Sequence, residues 1–424
     1  ENELLTQTGP DTPCGELMRR YWQPVALSEE LPEEGAPLPL RILGEDLVLF
    51  RDDQGRPGLL GLHCSHRGAD LSYGRLEDGG LRCIYHGWLY DVQGRCLEQP
   101  GEPAGSTFNE KIKHVAYPCV ERAETIFAYL GPGEPPEFPS YEFLSVPLEN
   151  LDATKRFHDC NYLQANEGNI DLSHLSFLHY MSWGRGSGEE LSHRGPRPGL
   201  DVAEAEVTAY GVRSCKIQHG WDPDKEIRVT EYVLPNFVAF PMGTVRDEAE
   251  RPGYAVNWHV PIDETHHWKF TFNFSRRGAL DRERGRYQTD MADYRPLRNL
   301  SNRFEQAREE MASGTYLGMG TDFQIHDKWA TEGQGPIEDR SAEHLGALDL
   351  AIVTSRQVLL KAIRDLQEGR EPANVVRDPA QNHFPIATFA VLVPESTDWR
   401  DYARYVETLA GPDGVGTTGA AVTT

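Results

Sequence analysis

The stretch from Cys64 to His86 limits what this chain can fold into more than any other. It reads Cys64-Ser-His66, then sixteen residues, then Cys83-Ile-Tyr-His86. Two thiolates and two imidazoles on two short loops are a donor set for a two-iron, two-sulfide cluster, the cysteines taking one iron and the histidines the other. Histidine in place of cysteine leaves such a cluster less negative and easier to reduce than an all-cysteine one. Each half is built like a loop tip, Cys64-Ser-His66-Arg-Gly68 and Cys83-Ile-Tyr-His86-Gly-Trp88. The glycine close behind each histidine lets the backbone bend around a cluster. The competing occupant is structural zinc, which two cysteines and two histidines can also hold. Zinc fingers pair cysteine with cysteine and histidine with histidine. Each half here is mixed, so the cluster is expected.

Composition narrows the setting. The chain has 424 residues and is 39% hydrophobic, enough for a large core or two domains. Its formal net charge of −24 argues against nucleic acid and against anionic membrane surfaces as partners. No apolar run has the length of a membrane span. The N-terminal Glu1-Asn-Glu-Leu-Leu has neither a basic nor an apolar signal region, so no secretory signal is expected. Beyond Cys64 and Cys83 the cysteines are Cys14, Cys96, Cys119, Cys160 and Cys215, odd in number and irregular in spacing. That suits reduced thiols in a cytoplasmic protein better than a disulfide framework.

In chain order, Thr12-Pro13 predicts a capped helix over 12–22. Short β-type runs follow at Leu40–Gly44, Asp46–Asp52, Trp88–Tyr90, His114–Pro118 and Thr125–Leu130, broken by glycine turns. Residues 132–147, rich in proline and acid, read as a linker. The segment from Phe157 to His179 has helical spacing, with Leu163, Asn166, Ile170, His174 and Phe177 on one side. Residues 184–200 read as a glycine-rich flexible loop, without the lysine of a P-loop or a dinucleotide fingerprint. Residues 201–275 alternate as an antiparallel sheet would, and 280–312 read as a solvated helix. Asp349 to Leu366 reads as an amphipathic helix. The fold class expected is α+β: a small all-β cluster domain, then a catalytic domain with an antiparallel sheet flanked by helices. The expected division is an N-terminal helical arm over 1–37 packed on the catalytic domain, the cluster domain over 38–135, the catalytic domain over 136–410 and a flexible tail over 411–424.

A cluster moves electrons singly and makes no product, so the chain needs somewhere to send them. Asp171-x-x-His174-x4-His179 is the candidate. Two imidazoles and a carboxylate on one face of an iron leave the other positions open, the facial triad of non-haem iron oxygenases. His174 and His179 are five positions apart, which asks for a local widening of a regular helix. Asp171 is placed to accept the other ring N–H of His174 and orient it. The bland alternative is two satisfied core histidines in an ordinary helix.

Together, Cys64-x-His66…Cys83-x-x-His86 and Asp171-x-x-His174-x4-His179 resemble the large subunit of Rieske non-haem iron oxygenases, within them the phthalate dioxygenase-like branch with one kind of subunit. The resemblance extends to Gly15-Glu-Leu-Met-Arg-Arg-Tyr-Trp-Gln-Pro and to Gly335-Pro-Ile-Glu-Asp-Arg340-Ser-Ala-Glu343-His-Leu-Gly. It implies that Cys64, His66, Cys83 and His86 hold a [2Fe-2S] cluster and that His174 and His179 hold a mononuclear Fe(II). It implies a third ligand in a run like Asp-x-x-Ile-Val, which Asp349-Leu-Ala-Ile-Val matches, with Asp339 as the rival. A carboxylate opening a helix, held by the helix dipole, is the plain alternative for Asp349. The resemblance further implies a homotrimer, or a multiple of one. There Asp171 bridges His86 of one subunit to His174 of the next, and the role of Glu167, four residues before it, stays open. Electrons come from NAD(P)H through a separate flavin or iron–sulfur reductase, since no nicotinamide or flavin motif is present. The substrates implied are O2 and a small aromatic molecule, commonly a carboxylic acid. Arg194, Arg197, Arg228 and Arg246 are candidates for its carboxylate, each more readily explained as a solvated surface arginine, and 184–200 could be a lid. Three functions remain open: ring hydroxylation, O-demethylation of a methoxylated aromatic acid, and electron carriage without oxygenase activity.

Overall fold

The computed structural model describes residues 1–180, 201–221, 223–246, 253–282 and 291–409. The loop expected over 184–200, with Arg194 and Arg197, and the tail over 411–424 lie outside them. Two short helices open the chain, α1 (Asn2–Thr6) and α2 (Pro13–Met18). Pro13 occupies the first helical position and the Thr12 hydroxyl accepts from Gly15 N, as the cap signal required. Side chains from much later in the chain hold this arm in place: Asn161 Nδ2 donates to Thr6 O at 2.9 Å and Tyr162 Oη to Leu5 O at 2.9 Å.

Strand β1 (Trp22–Leu27) is next, followed by β2 (Leu38–Ile42), β3 (Glu45–Arg51), β4 (Pro57–Gly61), β5 (Arg75–Glu77), β6 (Gly80–Arg82), β7 (Leu89–Tyr90) and β8 (Cys96–Glu98). Then come β9 (Ala116–Tyr117), β10 (Cys119–Arg122) and β11 (Thr125–Tyr129). They form three small sheets ordered β2-β3-β4-β9, β5-β6-β7-β8 and β1-β11-β10. Between the first two sheets lies a core of Val48, Phe50, Leu60, Leu71, Leu81, Trp88 and Tyr90, into which Cys64 and Cys83 also point. The proline-rich stretch 132–147 is not the loose linker expected. Tyr141, Phe143 and Leu144 enter the main core, and Trp22 Nε1 donates to Pro136 O. Aromatic burial outweighs its proline content.

The second half is built on one large antiparallel sheet. Its strands are β12 (Leu151–His158), β13 (Asp201–Val207), β14 (Gly211–Trp221), β15 (Asp224–Val233), β16 (Phe237–Pro241), β17 (Tyr254–Pro261) and β18 (His267–Phe274), in the order β12-β18-β17-β16-β15-β14-β13. Alternation assigns the two faces of β17 and β18. Val256, Trp258, Phe270 and Phe272 enter the main core, and Asn257, His259, His267 and Lys269 point the other way. Helix α3 (Tyr162–Ile170) lies across β17. The expected helix over 280–312 is replaced, in its described part, by a short hairpin, β19 (Met291–Ala292) and β20 (Arg295–Pro296), and by α4 (Arg308–Ser313). Its charged residues have no apolar face for one long helix to bury. Three further helices follow, α5 (Phe323–Glu332), α6 (Leu350–Gln367) and α7 (Trp399–Leu409), with β21 (Phe389–Pro394) joining the large sheet beside β15. Among the described residues no helix is long and apolar enough to cross a membrane.

Candidate active site

The two cluster loops repeat one design. Gly68 N donates to Cys64 O at 2.8 Å, and Gly87 N donates to Cys83 O at 2.9 Å. Gly68 and Gly87 sit at φ +70° and +79°, where a side chain would strain the backbone. The loops meet with their cysteines inside and their histidines outside. Cys64 and Cys83 are each 3% exposed, the Cys64 thiol is 3.2 Å from Tyr90 Oη, and burial raises the Cys83 pKa with Cys64 adding to it. His66 and His86 are exposed, their ring centroids 4.4 Å apart, and Trp88 stacks on His66 at 4.5 Å. Among the described residues two groups of three donors converge within 4.8 Å, and these four loop residues form neither. A single tetrahedral zinc would draw its donors that close. Two buried thiols on one side and two outward imidazoles on the other fit a two-metal cluster instead.

The expected single helix from Phe157 to His179 is interrupted. Asn161 caps α3 by accepting from Leu163 N at 3.1 Å, and α3 stops at Ile170. Asp171 ends it: its backbone is extended and its Oδ1 accepts from Ser173 N at 2.6 Å, a local bond that competes with helix. His174 then stands on a 3-10 turn, His174–Ser176. No widened helix is needed, because the break itself brings His174 and His179 together with ring centroids 5.2 Å apart.

The third donor facing them is Asp327, in the middle of α5. His179 Nε2 lies 3.0 Å and His174 Nε2 3.7 Å from the same oxygen, Asp327 Oδ1. Cis ligands at about 2.1 Å around one metal stand roughly 3 Å apart, so the trio fits a single ion. Burial alone would raise the Asp327 carboxyl, but His179, His174 and Lys269 outweigh it and hold it far below its ordinary range. Asp349, expected in this place, is not there. It opens α6 at the surface, where its Oδ2 accepts from Gly346 N at 2.7 Å. Asp339 is exposed and bonds Ser341. The same pattern, an acid before an apolar helix, serves a helix end as readily as a metal.

Asp171 Oδ2 faces His174 Nδ1 at 3.5 Å, long for a hydrogen bond, and that nitrogen has no closer partner. Burial disfavours the charged imidazole of His174, yet Asp171 outweighs it and raises the pKa. Glu167 is structural. Arg356 Nε donates to its Oε1 at 2.6 Å, Arg340 Nη2 reaches its Oε2 at 3.1 Å, and Arg356 also holds Glu343. The late segment through Arg340 and Glu343 thus clamps α3 to α6, and through α3 it fixes where Asp171 points. Burial and Glu343 push the neighbouring Glu338 up to about 7. A cavity of about 300 Å³ runs from Arg356 past Asp171 and His174 to Asp327, Lys269 and His158. Asp327, Lys269 and His158 were not singled out in the sequence.

Known proteins resemble both halves of the chain. Residues 21–116 match the Rieske [2Fe-2S] domain, and residues 128–418 match the LigXa C-terminal domain like family. The chain is 38% identical over 438 residues to the phthalate 4,5-dioxygenase oxygenase subunit of Pseudomonas putida, covering 96% of this chain and 95% of that one. It is 31% identical to the 5,5'-dehydrodivanillate O-demethylase oxygenase subunit of Sphingobium sp. (strain NBRC 103272 / SYK-6), covering 92% and 86%. A solved complex of oxygenase and ferredoxin in carbazole 1,9a-dioxygenase shares the fold at TM-score 0.54 and 22% identity, covering 87% of this chain and 93% of that one. Cofactor, enzyme class and fold converge: the chain belongs to the Rieske non-haem iron oxygenases and is an oxygenase component that works with a [2Fe-2S] cluster, a mononuclear iron and electrons supplied by a reductase.

Proposed function

We propose that this oxygenase hydroxylates a small aromatic carboxylic acid, with Cys64, His66, Cys83 and His86 holding the cluster and His174, His179 and Asp327 holding the iron. The observation that carries this reading is the convergence of His174 and His179 on one oxygen of Asp327. An electron carrier would have no use for it. Iron bound there supplies the oxygen-activating chemistry. The chain's own residues position the iron: Asp171 orients the His174 ring, His326 Nδ1 stands 3.3 Å from His179 Nδ1, and the Glu167–Arg356 clamp fixes α3. The aromatic-acid substrate is supported by the name of the phthalate 4,5-dioxygenase relative. The demethylase relative supports a second reading, O-demethylation of a methoxylated aromatic acid at the same iron.

The working unit in this proposal is a cytoplasmic homotrimer, or a multiple of one. The exposed His86 of one subunit meets Asp171 of the next, and a separate reductase or ferredoxin delivers the electrons. Exposed Ile84 and Tyr85 beside His86, and an Asp171 carboxylate that is still partly exposed, support that contact. Beyond the two cluster ligands, the five cysteines Cys14, Cys96, Cys119, Cys160 and Cys215 form no disulfide, which fits a reducing compartment. The division proposed is an arm over 1–37, a cluster domain over 38–135, a catalytic domain over 136–410 and a tail beyond. Arg228, which reaches Thr244 Oγ1 at 3.2 Å and Glu226 at 3.4 Å, and Arg246, paired with Asp224 at 3.2 Å, are held by their own neighbours. The test is turnover with a surrogate reductase, NADH and labelled O2 over benzoates, phthalates and methoxybenzoates. Two labelled oxygens in one product mean dioxygenation. One labelled oxygen with formaldehyde means demethylation. A reducible cluster with neither product nor peroxide defeats the proposal.

A further inference from the structure

The polar face of the large sheet carries a basic row. Arg156 on β12 stands opposite Lys269 on β18, and Lys269 opposite His259 on β17. His158 and His267 pair in the next row. These residues lie under α3 and α5, away from solvent. Three other buried lysines have carboxylate partners: Lys155 holds Glu30 at 2.7 Å, Lys216 holds Asp201 at 3.0 Å, and Lys328 holds Glu332. Lys269 is 1% exposed, and its Nζ donates to the amide oxygen of Gln324. Among the described residues it closes no ion pair. Burial lowers its pKa to about 8, so it still carries its charge near neutrality. Asp327 and Asp322 both act on it electrostatically, but neither closes an ion pair with it among the described residues, and Asp327 is committed to His174, His179 and the metal they share. A buried ammonium with no carboxylate in contact is costly unless a ligand supplies one.

His158 is the second sign of a missing partner. It is 2% exposed, and neither ring nitrogen has a hydrogen-bond partner. Its neighbours are satisfied: His267 Nδ1 bonds Cys160 O at 2.8 Å, and His259 Nε2 is 2.8 Å from Asn169 Oδ1. Burial holds His158 neutral, leaving one ring N–H to give. Lys269 and His158 line the same cavity as His174 and Asp327.

We infer that Lys269 and His158 form a carboxylate-binding subsite on the strand side of the iron centre, where the substrate's acid group docks and thereby aims its ring at the metal. One ammonium and one imidazole N–H match the two oxygens of a carboxylate. The inference rests on the aromatic-acid reading above and names the residues that would enforce it.

Equilibrium binding tests it by anaerobic calorimetry on the full-length protein loaded with cluster and iron, with phthalate and its neutral diamide as probes. Wild type binds phthalate at least tenfold more tightly than the diamide. Lys269→Met loses about tenfold or more of the phthalate affinity and little of the diamide's, as expected for a hydrogen bond to a charged group. Lys269→Arg restores part of it. His158→Leu weakens phthalate alone, and it carries the test should Lys269→Met lose its metals, which iron analysis and the cluster's absorbance report. A wild-type preference for phthalate that survives in both variants overturns the subsite and leaves the aromatic-acid reading standing. Equal losses for both probes also overturn it, because they mean a structural role. A wild type that binds phthalate no more tightly than the diamide overturns the reading and the subsite together.

Discussion

The cluster loops and the iron triad solve opposite problems. The loops take all four donors from one stretch, sink the cysteines into a small core and leave both histidines exposed. The triad takes two donors from a turn after α3 and the third from α5, far along the chain, with His179 3% exposed. A centre that only passes electrons works at the rim, where its imidazoles reach a partner. A centre that activates oxygen has to be enclosed, so that water and stray protons are kept out. Local sequence suffices for the first design. The second requires the sheet and two helices to be in place before the donors meet.

The sharpest way to break this comparison is to remove the distant donor. Asp327→Ala is expected to abolish mononuclear iron binding and lower turnover by roughly 100-fold or more, since even partners outside the metal's own ligands cost 10–100-fold. The cluster's absorbance should be unchanged. Iron analysis beside the visible spectrum checks both. Loss of the cluster as well would mean that the two centres do not assemble independently.

Asp171→Asn probes the connection between them. The amide keeps the shape but loses the charge that raises His174. Both metals should remain, with turnover down roughly 10–100-fold. Stopped-flow reoxidation of the reduced cluster by substrate and O2 should slow by a similar factor, while reduction of the cluster by dithionite should not. Unchanged reoxidation would remove Asp171 from the route between subunits.

A smaller effect belongs to the loop design. In Gly87→Ala the new methyl would stand 3.0 Å from Pro100 Cγ on a backbone at φ +79°. Strain of this kind costs about 1–3 kcal/mol. The expected result is a lower melting temperature and incomplete cluster loading with normal iron in the triad. Full loading would show that the loops tolerate more than their matched glycines suggest.

Legibility in the sequence divides along the same line. Cys64, His66, Cys83 and His86 could be read together because their chemistry is contiguous. His174 and His179 could be read because they share a segment, although the break at Asp171 that positions them could not. That break depends on a side chain bonding its own backbone, which competes with helical spacing and leaves no trace in it. The sheet was legible from alternation, and helix α6 from its period. Asp327 was not, because it sits inside an ordinary amphipathic helix whose one distinction, facing two histidines, is tertiary. Lys269 and His158 were hidden likewise. In the sequence each is one polar residue in an alternating strand, and only the fold shows that Lys269 is buried without a carboxylate in contact and His158 without any hydrogen-bond partner.

The mildest prediction concerns Asp349, whose run Asp-Leu-Ala-Ile-Val pointed to a ligand. Its carboxylate accepts one backbone N–H, from Gly346, at the positive end of the eighteen-residue helix α6. Removing such a contact costs about 0.5–1 kcal/mol. Asp349→Ala should therefore lower the denaturation midpoint slightly, with iron content and turnover at wild-type levels. A carboxylate that holds a helix end and one that faces two imidazoles differ in what they bond, and the two variants should separate them. Iron lost from Asp349→Ala and kept in Asp327→Ala would reverse the assignment and place the third ligand at the mouth of α6, where no histidine of the triad faces it in this fold.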